Sequence, residues 1–335
     1  MANDSIYIRG VGSELAVRRP ISEAVASGEC PPEIAERTGT ESVSVSERMS
    51  GVELAAAAAR NALRDAAIAG SRIDLIAHSN VYYQGHDLWS PSAYIQRETG
   101  AADAVAVEIR QMSNGGMAGI DLAAAYLTGR DRDLALVTTG DRFVGPGFDR
   151  WISDPGTIYG DGGTALILSR TSGFAVFRSF VQIADANLEA MHRGTDPFGV
   201  APFSVRPRVD LDPLKKAYLA GTNVLAAVEK VRRGQERVIA RSLDEAGVKI
   251  SDIDWFVLPH FGVRRLRSTF LRPLNIDIER TTWDFARTVG HLGAGDQFAG
   301  LAHLRARDLL RTGDAVLFAG VGAGFSWSAA VLEIL

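Results

Sequence analysis

Runs of apolar residues alternate along the chain with segments that have the apolar spacing of amphipathic helices, and one such arrangement occurs twice. The stretch "NALRDAAIAGSRIDLIAHS" has a distant echo in "RSLDEAGVKISDIDWFVLPH". Each predicts an amphipathic helix, a short turn, an Ile-Asp pair and then a strand. Ile73-Asp74 and Ile253-Asp254 occupy corresponding places.

The correspondence continues downstream. A helix at 117–127 precedes the strand "LALVTTG", and a helix at 297–311 precedes "AVLFAGVG". Each half then closes with a glycine turn and a strand, "GDGGTALILS" and "GAGFSWSAAVLEIL". Three matched pairs in one order predict an internal repeat.

Strands that alternate with helices and lack hairpin signals predict an α/β fold with parallel, doubly wound sheets. We expect two βαβ halves, residues 1–172 and 173–335, that face each other. Ligands bind at the carboxyl ends of strands in such folds, so "QMSNGG" and "TVGHLGAGD" would meet at one site. A proline-rich segment at about 185–215 predicts a cap or long loop over that site.

Composition narrows the class of protein. The chain has 335 residues, 46% of them apolar and 23% charged, which is typical of a folded protein. A net charge of −4 with scattered arginines argues against a nucleic-acid partner. One cysteine, Cys30, indicates a reducing, cytoplasmic compartment and argues against a metal site. The N-terminus does not resemble a signal peptide, and the longest alanine-rich run carries too much charge for a membrane span.

Several motifs together resemble the thiolase superfamily, in particular β-ketoacyl-ACP synthase III and related acyltransferases of antibiotic pathways. They are Arg37-Thr38-Gly39, "SPSAYIQRETGA", "YGDGGTALIL", "LPHFGVRRL" and "GVGAGFSWSAAVL", in that order along the chain. The resemblance implies a thiolase-like fold of two pseudo-duplicated halves, with parallel-rich sheets and helices in layers. It also implies a homodimer.

The differences from that family are informative. Ser113 stands where the family has its acyl-accepting cysteine, His291 stands where it has an asparagine, and His260 matches its histidine. Together with Asp296, this pattern resembles the serine-bearing priming synthases of anthracycline-type polyketide pathways. A serine needs a positioned base, and that base needs an orienting group. We therefore predict Ser113 as nucleophile, His291 as its base, Asp296 as orienter or helix-terminal charge, and His260 as acid/base for the acceptor.

The resemblance extends to substrate binding. It implies an oxyanion hole made by the backbone N–H groups of Ser113 and Ala323, and it makes Arg37 a candidate for donor binding. The tryptophan and arginine that clamp the CoA adenine in the family are replaced by Glu33 and Pro155. We expect acyl-CoA or an acyl carrier protein as donor, a small-molecule or carrier-bound acceptor, and no cofactor or metal.

Other interpretations remain open at this stage. Ser113 alone could cap a helix, and His291 and Asp296 could be a cap and a first-turn charge. The whole protein could instead be a decarboxylating condensing synthase, a non-catalytic partner subunit or a thioesterase-like editor. The remaining histidines are interpreted as structural or solvated: His78, His86, His192 and His303.

Overall fold

The computed structural model describes residues 5–335, which form a layered α/β structure. The strands β1 to β11 are Tyr7–Leu15, Val17–Pro20, Ser42–Val45, Leu75–Ser79, Val105–Ile109, Leu134–Asp141, Gly162–Ser169, Ala175–Ala184, Trp255–Val257, Ala315–Gly322 and Ser326–Ile334. The helices α1 to α11 are Ile21–Ala26, Pro32–Thr38, Gly51–Asp65, Pro91–Thr99, Gly115–Arg130, Leu211–Ala220, Val224–Ala246, Val263–Leu266, Arg272–Leu274, Trp283–Val289 and Asp296–Ala306.

The order of strands in the main sheet shows the internal repeat. Nine strands follow the order β5-β4-β6-β7-β1-β8-β11-β10-β9. Outward from the β1–β8 pair, β7, β6 and β4 on one side match β11, β10 and β9 on the other. The predicted α/β fold of two pseudo-duplicated halves is therefore confirmed.

The repeated Ile-Asp pairs have the same structural role in both halves. Asp74 precedes β4, and its carboxylate accepts a hydrogen bond from the backbone N–H of Leu134 at the start of β6, at 3.1 Å. Asp254 precedes β9, and its carboxylate accepts the equivalent bond from Ala315 at the start of β10, at 2.8 Å. Each aspartate thus aligns the first residue of the neighbouring strand.

The strand pairing differs from the parallel sheets that the sequence predicted. The pairs β4–β5, β4–β6 and β9–β10 are parallel, whereas β6–β7, β1–β7, β1–β8, β8–β11 and β10–β11 are antiparallel. The closing strand of each half causes the difference. The short glycine turn after Gly322 joins β10 directly to β11, and so short a link connects only antiparallel neighbours.

Helices form an inner layer and two outer layers around the sheet. Buried side chains of α5 and α11, including Met117, Ile120, Phe298 and Leu301, share one core with strands of both halves. Helix α3 covers β1, β6 and β7 on one outer side, and α7 covers β8 and β11 on the other. Among residues 5–335, no helix combines the length and apolar composition that crossing a membrane requires.

Glycines and alanines allow α3 to approach the sheet closely. The alanine-rich face of α3 is buried, and a Cβ atom added at Gly12 of β1 or Gly163 of β7 would collide with the α3 backbone. A Ser50–Glu53 capping box fixes the start of this helix. The alanine run is therefore a packing surface.

Candidate active site

The hydroxyl of Ser113 meets the imidazole of His291 between the starts of two equivalent helices. Ser113 lies in the 3₁₀ turn Met112–Asn114, which leads into α5. His291 precedes the 3₁₀ turn Gly293–Gly295, which leads into α11. Ser113 Oγ is 2.9 Å from His291 Nε2, although 178 positions separate them in the chain. The two helix starts that the repeat made equivalent therefore do converge.

Two glycines after the serine allow the start of α5 to pack closely against its neighbours. A Cβ atom added at Gly116 would collide with the backbone oxygen of Ala294, and one added at Gly115 would collide with the side chain of Ser79. A larger residue at Gly116 would push the turn before α11 away from α5, whereas one at Gly115 would push against Ser79 of β4. Gly116 of "SNGG" thus helps to set the distance between Ser113 and His291.

The backbone of the serine turn is strained and anchored. Met112 has a φ of 50°, in the left-handed region where a non-glycine residue costs on the order of 1–3 kcal/mol. The amide of Asn114 donates to Gln111 Oε1 at 2.6 Å and to Ser328 Oγ of β11 at 2.8 Å. The second half of the chain therefore helps to hold the turn that carries Ser113.

Ser113 and His291 do not cap these helices, whereas Asp296 does lie in the first turn of α11, as the alternative for it proposed. The residue that precedes α5 is Asn114, and the one that precedes α11 is Gly295; neither has a side-chain capping bond. The hydroxyl of Ser113 is hydrogen-bonded to His291, and Asp296 is the first residue inside its helix. The polar groups of these residues are directed at one another.

Asp296 completes a hydrogen-bonded chain behind His291. Its Oδ2 lies 2.5 Å from His291 Nδ1 and accepts from the backbone N–H of His260 at 2.8 Å, while its Oδ1 accepts from the N–H of Leu292 at 2.8 Å. The carboxylate fixes the proton of neutral His291 on Nδ1, so Nε2 faces Ser113 as an acceptor. Burial raises the pKa of Asp296, but His260, His291 and the hydrogen bonds outweigh it and hold that pKa below the usual value.

His260 lies beside Asp296 but does not reach the cavity. Its side chain has no exposed area, its Nδ1 is 3.0 Å from the carbonyl oxygen of Gly290, and its Nε2 is buried without a partner. It is absent from the residues that line the cavity around Ser113. Burial lowers the pKa of the imidazole. The predicted acid/base role toward an acceptor therefore lacks the contact that it requires, because the ring is held beneath the wall.

Ser113 and His291 open onto a large cavity with an aromatic lining. Its volume is about 1310 Å³. The ring of Tyr159 stands edge-on to His291 with centroids 4.9 Å apart, and Phe261 lies 6.1 Å from the same imidazole. The segment predicted as a cap contributes several wall residues: His192, Phe203, Val209, Leu211 and Lys215.

Ala323 lies in the same wall as Ser113, in the turn between β10 and β11. The register places Gly322 opposite Ser326 at the end of the hairpin. A Cβ atom at Gly322 would collide with the backbone oxygen of Gln111. This glycine therefore allows the turn that carries Ala323 to approach the serine turn.

Arg37 lies at a second, smaller cavity of about 380 Å³. Its guanidinium donates to the carbonyl oxygen of Pro155. Three residues line both cavities and so form the boundary between them: Asp154, Lys215 and Arg265. The structure places Arg37 on the outer side of that boundary, away from Ser113.

The boundary is an ion cluster that sequence reasoning missed. Arg265 binds Asp154 through two hydrogen bonds of 2.7 and 2.9 Å, and Lys215 Nζ lies 3.1 Å from the same carboxylate. Burial raises the pKa of Asp154, but the two cations outweigh it and hold that pKa well below the usual range. The only sequence signal is the arginine pair in "LPHFGVRRL", because Lys215 and Asp154 come from distant segments.

Comparison with known proteins identifies relatives that match most of the chain. Residues 243–334 match the family model of the 3-oxoacyl-ACP synthase III C-terminal region. The chain is 28% identical to β-ketoacyl-ACP synthase III of Trichormus variabilis over 293 residues, which covers 84% of this chain and 82% of the relative. The structure of 3-oxoacyl-ACP synthase III from Aquifex aeolicus has the same fold, with a TM-score of 0.80, 20% identity and coverage of 98% and 99% of the two chains.

The ChlB3 acyltransferase structure matches with a TM-score of 0.94 and 31% identity, and the match covers 99% of this chain and 98% of ChlB3. Identity at this level over nearly two whole chains is sufficient to assign a family. The protein belongs to the thiolase superfamily, among the β-ketoacyl-ACP synthase III-like proteins.

Proposed function

We propose that the protein is an acyltransferase of the β-ketoacyl-ACP synthase III type that works through an acyl-serine intermediate. It moves a short acyl group from a CoA or carrier-protein thioester to an acceptor in polyketide or other secondary metabolism, for starter-unit loading or tailoring. One observation carries the proposal. The hydrogen-bonded chain from Ser113 through His291 to Asp296 opens onto the cavity, and an alcohol nucleophile needs such a chain.

In the first half-reaction, Ser113 Oγ attacks the thioester carbonyl carbon while His291 Nε2 takes the hydroxyl proton. Asp296 stabilises the imidazolium that results. The backbone N–H groups of Ser113 and Ala323 bind the oxygen that becomes negative, and one such donor contributes roughly 3–4 kcal/mol in comparable sites. The C–S bond then breaks, and the thiolate takes the proton from His291.

In the second half-reaction, His291 takes the proton of an oxygen, nitrogen or sulfur acceptor as that atom attacks the acyl-serine carbonyl. Ser113 leaves with a proton returned by His291. The position of His260 favours transfer over decarboxylative condensation. Stabilising an enolate in the cavity would require a second donor beside His291, and the ring of His260 is held beneath the wall.

The outer cavity supports a thioester donor that carries phosphate. Arg37, Arg264, Arg265 and Lys215 line it, whereas Asp154 and Asp212 supply the opposing charge. Four cations against two carboxylates give this entrance a net positive charge, which suits the phosphate of CoA or of a carrier's pantetheine arm. Glu33 lies on the same short helix as Arg37, so a tryptophan clamp for adenine is missing there.

We also propose that two copies pair through β5. This strand is an edge of the nine-stranded sheet, and Val105 and Val107 expose 48% and 40% of their surface. An uncovered apolar edge strand tends to pair with another strand, and a second copy offers the same edge. Leu88 and Trp89, which are also exposed, lie in the loop that leads to α4.

Intact-protein mass spectrometry after incubation with short acyl thioesters tests the proposal. The wild-type protein should gain the acyl mass, Ser113→Ala should gain none, and His291→Ala should gain it at least 10³-fold more slowly, because the base is lost. Ser251→Ala and His303→Ala are matched controls, since Ser251 is exposed and neither residue lines either cavity. Both should acylate normally.

The alternatives give different results in the same experiment. A condensing synthase would release CO₂ from malonyl-ACP and lengthen the acyl product by two carbons. A thioesterase-like editor would release free acid without an added acceptor. A non-catalytic partner subunit would form no adduct with any thioester, and an adduct that persists in Ser113→Ala would contradict the assigned nucleophile.

A further inference from the structure

The phenol hydroxyl of Tyr159 is an open hydrogen-bonding group in the main cavity. Tyr159 lines this cavity and is buried overall, with 7% of its surface exposed. Among residues 5–335, none hydrogen-bonds to its Oη, yet Oη is outside the set of polar atoms that are buried without a partner. The hydroxyl therefore keeps accessible surface, and the cavity is the space that it faces.

Tyr159 belongs to a short segment, residues 154–160, that starts at the ion cluster on the cavity boundary. Arg265 of that cluster binds the Asp154 carboxylate at 2.7 Å. The same guanidinium nitrogen also donates to Thr157 Oγ1 at 2.7 Å. The start of the segment is therefore fixed to the boundary between the two cavities.

The end of this segment holds the backbone of His291. The N–H of His291 donates to the carbonyl oxygen of Ile158 at 2.9 Å, and the N–H of Gly160 donates to the carbonyl oxygen of His291 at 3.0 Å. Tyr159 lies between these two contacts, and its ring stands edge-on to the imidazole with centroids 4.9 Å apart. The residue thus links the boundary with the proposed catalytic base.

The ring of Tyr159 is held on several sides. It lies edge-on to Phe143 and Phe148, with centroids 4.7 and 4.9 Å apart. Its backbone carbonyl accepts from Arg150 Nη1 at 3.1 Å, and Arg150 is bound to the buried Asp161 carboxylate by two hydrogen bonds of 3.0 and 2.9 Å. Ring and backbone are both fixed, so the position of the hydroxyl is set before a ligand arrives.

The hydroxyl of Tyr159 is a donor on the boundary side of the site. Burial raises the pKa of the phenol well above its usual range, so the hydroxyl keeps its proton near pH 7. Among the charges around the phenol, those of Asp154 and Arg265 affect this pKa more than that of Asp296 does, and electrostatic effects weaken with distance. Oη is therefore nearer to the ion cluster than to Asp296. This position suits a group behind the reacting carbonyl, whereas an enolate would form beside Ser113.

His192 also lines the main cavity, but it belongs to a different wall. Its imidazole stacks on Phe325, with centroids 5.3 Å apart. Beyond the end of the β8–β11 ladder, Asp185 and Phe325 exchange two backbone hydrogen bonds of 2.9 and 3.2 Å. The interpretation of His192 as a solvated loop residue is therefore wrong. Of the two polar side chains, Tyr159 is the one in ring contact with His291.

We infer that the Tyr159 hydroxyl donates a hydrogen bond to an amide carbonyl oxygen in the arm of the thioester donor while the acyl group lies at Ser113. The inference rests on the proposed function and adds a specificity-determining residue to it. The favoured donors carry an amide a few bonds behind the sulfur, as the pantetheine arm of CoA or of a carrier protein does. An arm that enters from the outer cavity passes the boundary before it reaches His291, and Tyr159 lies between these two points. An amide carbonyl is an acceptor that a neutral phenol can pair with.

The test combines one change in the protein with one change in the substrate. Tyr159→Phe removes the hydroxyl and keeps the ring against His291. The first substrate is the acetyl thioester of N-acetylcysteamine, and the second is its ketone analogue, in which CH₂ replaces the N–H. The third is the acetyl thioester of pentanethiol, which has the same chain length and no carbonyl in the arm. Dissociation constants are measured on Ser113→Ala protein by ligand-observed NMR, and acylation rates on protein with Ser113 by intact-protein mass spectrometry.

Tyr159→Phe should weaken the binding of the amide and ketone thioesters by about 3- to 10-fold and change that of the pentanethiol thioester by less than about twofold, because one neutral hydrogen bond is lost. The acylation rate at saturating thioester should change by less than about threefold, because a contact made equally before and during attack contributes to affinity alone. Tyr94→Phe is the matched control, since Tyr94 lines neither cavity. It should leave the binding of all three thioesters unchanged.

Three outcomes would overturn the inference. Equal losses for all three thioesters, or a slower saturated rate with binding intact, would mean that Tyr159 acts only by positioning His291. Unchanged binding of the amide thioester would mean that the hydroxyl has no partner in the arm. A loss for the amide but not for the ketone would mean that the hydroxyl accepts from the N–H and is not the donor. Thermal unfolding checks the fold, and Tm should stay within about 2 °C, because the hydroxyl has no partner among residues 5–335.

The binding measurement also separates this inference from the proposed function. A selective loss for the amide and ketone thioesters, combined with no acyl adduct on protein that has Ser113, would contradict the acyl-serine mechanism and keep the role of Tyr159. Normal adduct formation without a selective loss would contradict the role of Tyr159 alone.

Discussion

The substitution Asp296→Asn tests the hydrogen-bonded chain with almost no change in shape. The carboxylate of Asp296 receives three N–H groups: Leu292 N–H at Oδ1 and both His260 N–H and His291 Nδ1–H at Oδ2, at distances of 2.5–2.8 Å. An asparagine has only one acceptor oxygen. With its NH₂ group toward His291, it forces the His291 proton onto Nε2 and removes the base. With its NH₂ group toward Leu292, the asparagine places one donor against another, the backbone N–H of Leu292. It also lacks the negative charge that stabilises the imidazolium of His291.

Either orientation leaves a buried N–H unpaired, which costs about 1–3 kcal/mol of stability. The effect on rate is larger. A carboxylate-to-amide change behind a catalytic histidine in a serine protease lowers kcat by about 10⁴, and we expect a loss of about 10³ to 10⁴ in the acylation rate here. In terms of activation free energy, that is about 4–5.5 kcal/mol, since each factor of ten is 1.36 kcal/mol.

Single-turnover acylation by intact-protein mass spectrometry measures the rate, and urea unfolding measures the stability. Asp141→Asn is the matched control. Asp141 is fully buried and accepts N–H groups of Val81 and Tyr82, and burial raises its pKa to about 8, so an amide replaces a largely neutral carboxyl at pH 7. It should acylate within tenfold of the wild-type rate. Asp296→Asn protein that folds normally and also acylates within tenfold of that rate would refute the role of Asp296.

Four further predictions concern individual residues. Gly116→Ala should slow acylation by about 10- to 100-fold, because it displaces the turn before α11. A normal acylation rate would mean that the close contact between α5 and this turn does not position His291. Ser113→Cys should form an adduct, because a thiol at a helix start ionises more easily than a hydroxyl. Adding His291→Ala to this variant should lower its acylation rate by less than tenfold. Burial lowers the pKa of His78 to about 4. Its imidazole is therefore protonated below about pH 6.5 in the unfolded chain but only below about pH 4 in the folded chain. The contribution of His78 to stability should therefore be complete above about pH 6.5 and fall by about 1.4 kcal/mol per pH unit between about pH 6.5 and 4; His78→Asn should reduce the total slope by that amount in urea titrations. Val107→Lys should convert the proposed dimer to a monomer, measured by light scattering, and an unchanged dimer would exclude β5 as the interface.

The fold could be predicted from the sequence because the two halves share the same local patterns of apolar and polar residues. The Ile-Asp pairs at 73–74 and 253–254 align neighbouring strands in the same way in both halves. Helix ends were less accurate. The helix predicted at 297–311 ends at Ala306, and Asp308 adopts a φ of 55°, which a continuing helix does not allow. The antiparallel closing strands were missed because residues 142–161 separate β6 from β7, and because the glycine turn before β11 resembles a ligand loop as much as a hairpin.

Only those site residues could be predicted whose chemistry requires a specific partner residue. Ser113, His291 and Asp296 were found together because a serine requires a base and the base requires an orienter. Nothing in the sequence separated His260, which the structure places beneath the wall, from His192, which it places in the wall. That difference depends on the β8–β11 register and on the packing of α7, which are contacts between distant parts of the chain.

The proposed serine nucleophile would account for the number of contacts that Asp296 makes. A thiol at the start of α5 would be activated in part by the helix dipole, and the group opposite it could then be an asparagine that only donates a hydrogen bond. A hydroxyl has no accessible anion near pH 7, so its base must hold one tautomer and must tolerate a positive charge during attack. A carboxylate fixed by the N–H groups of Leu292 and His260 meets both requirements. Oxygen at position 113, imidazole at 291 and carboxylate at 296 are therefore one interdependent choice, and restoring sulfur at 113 should make the other two dispensable together.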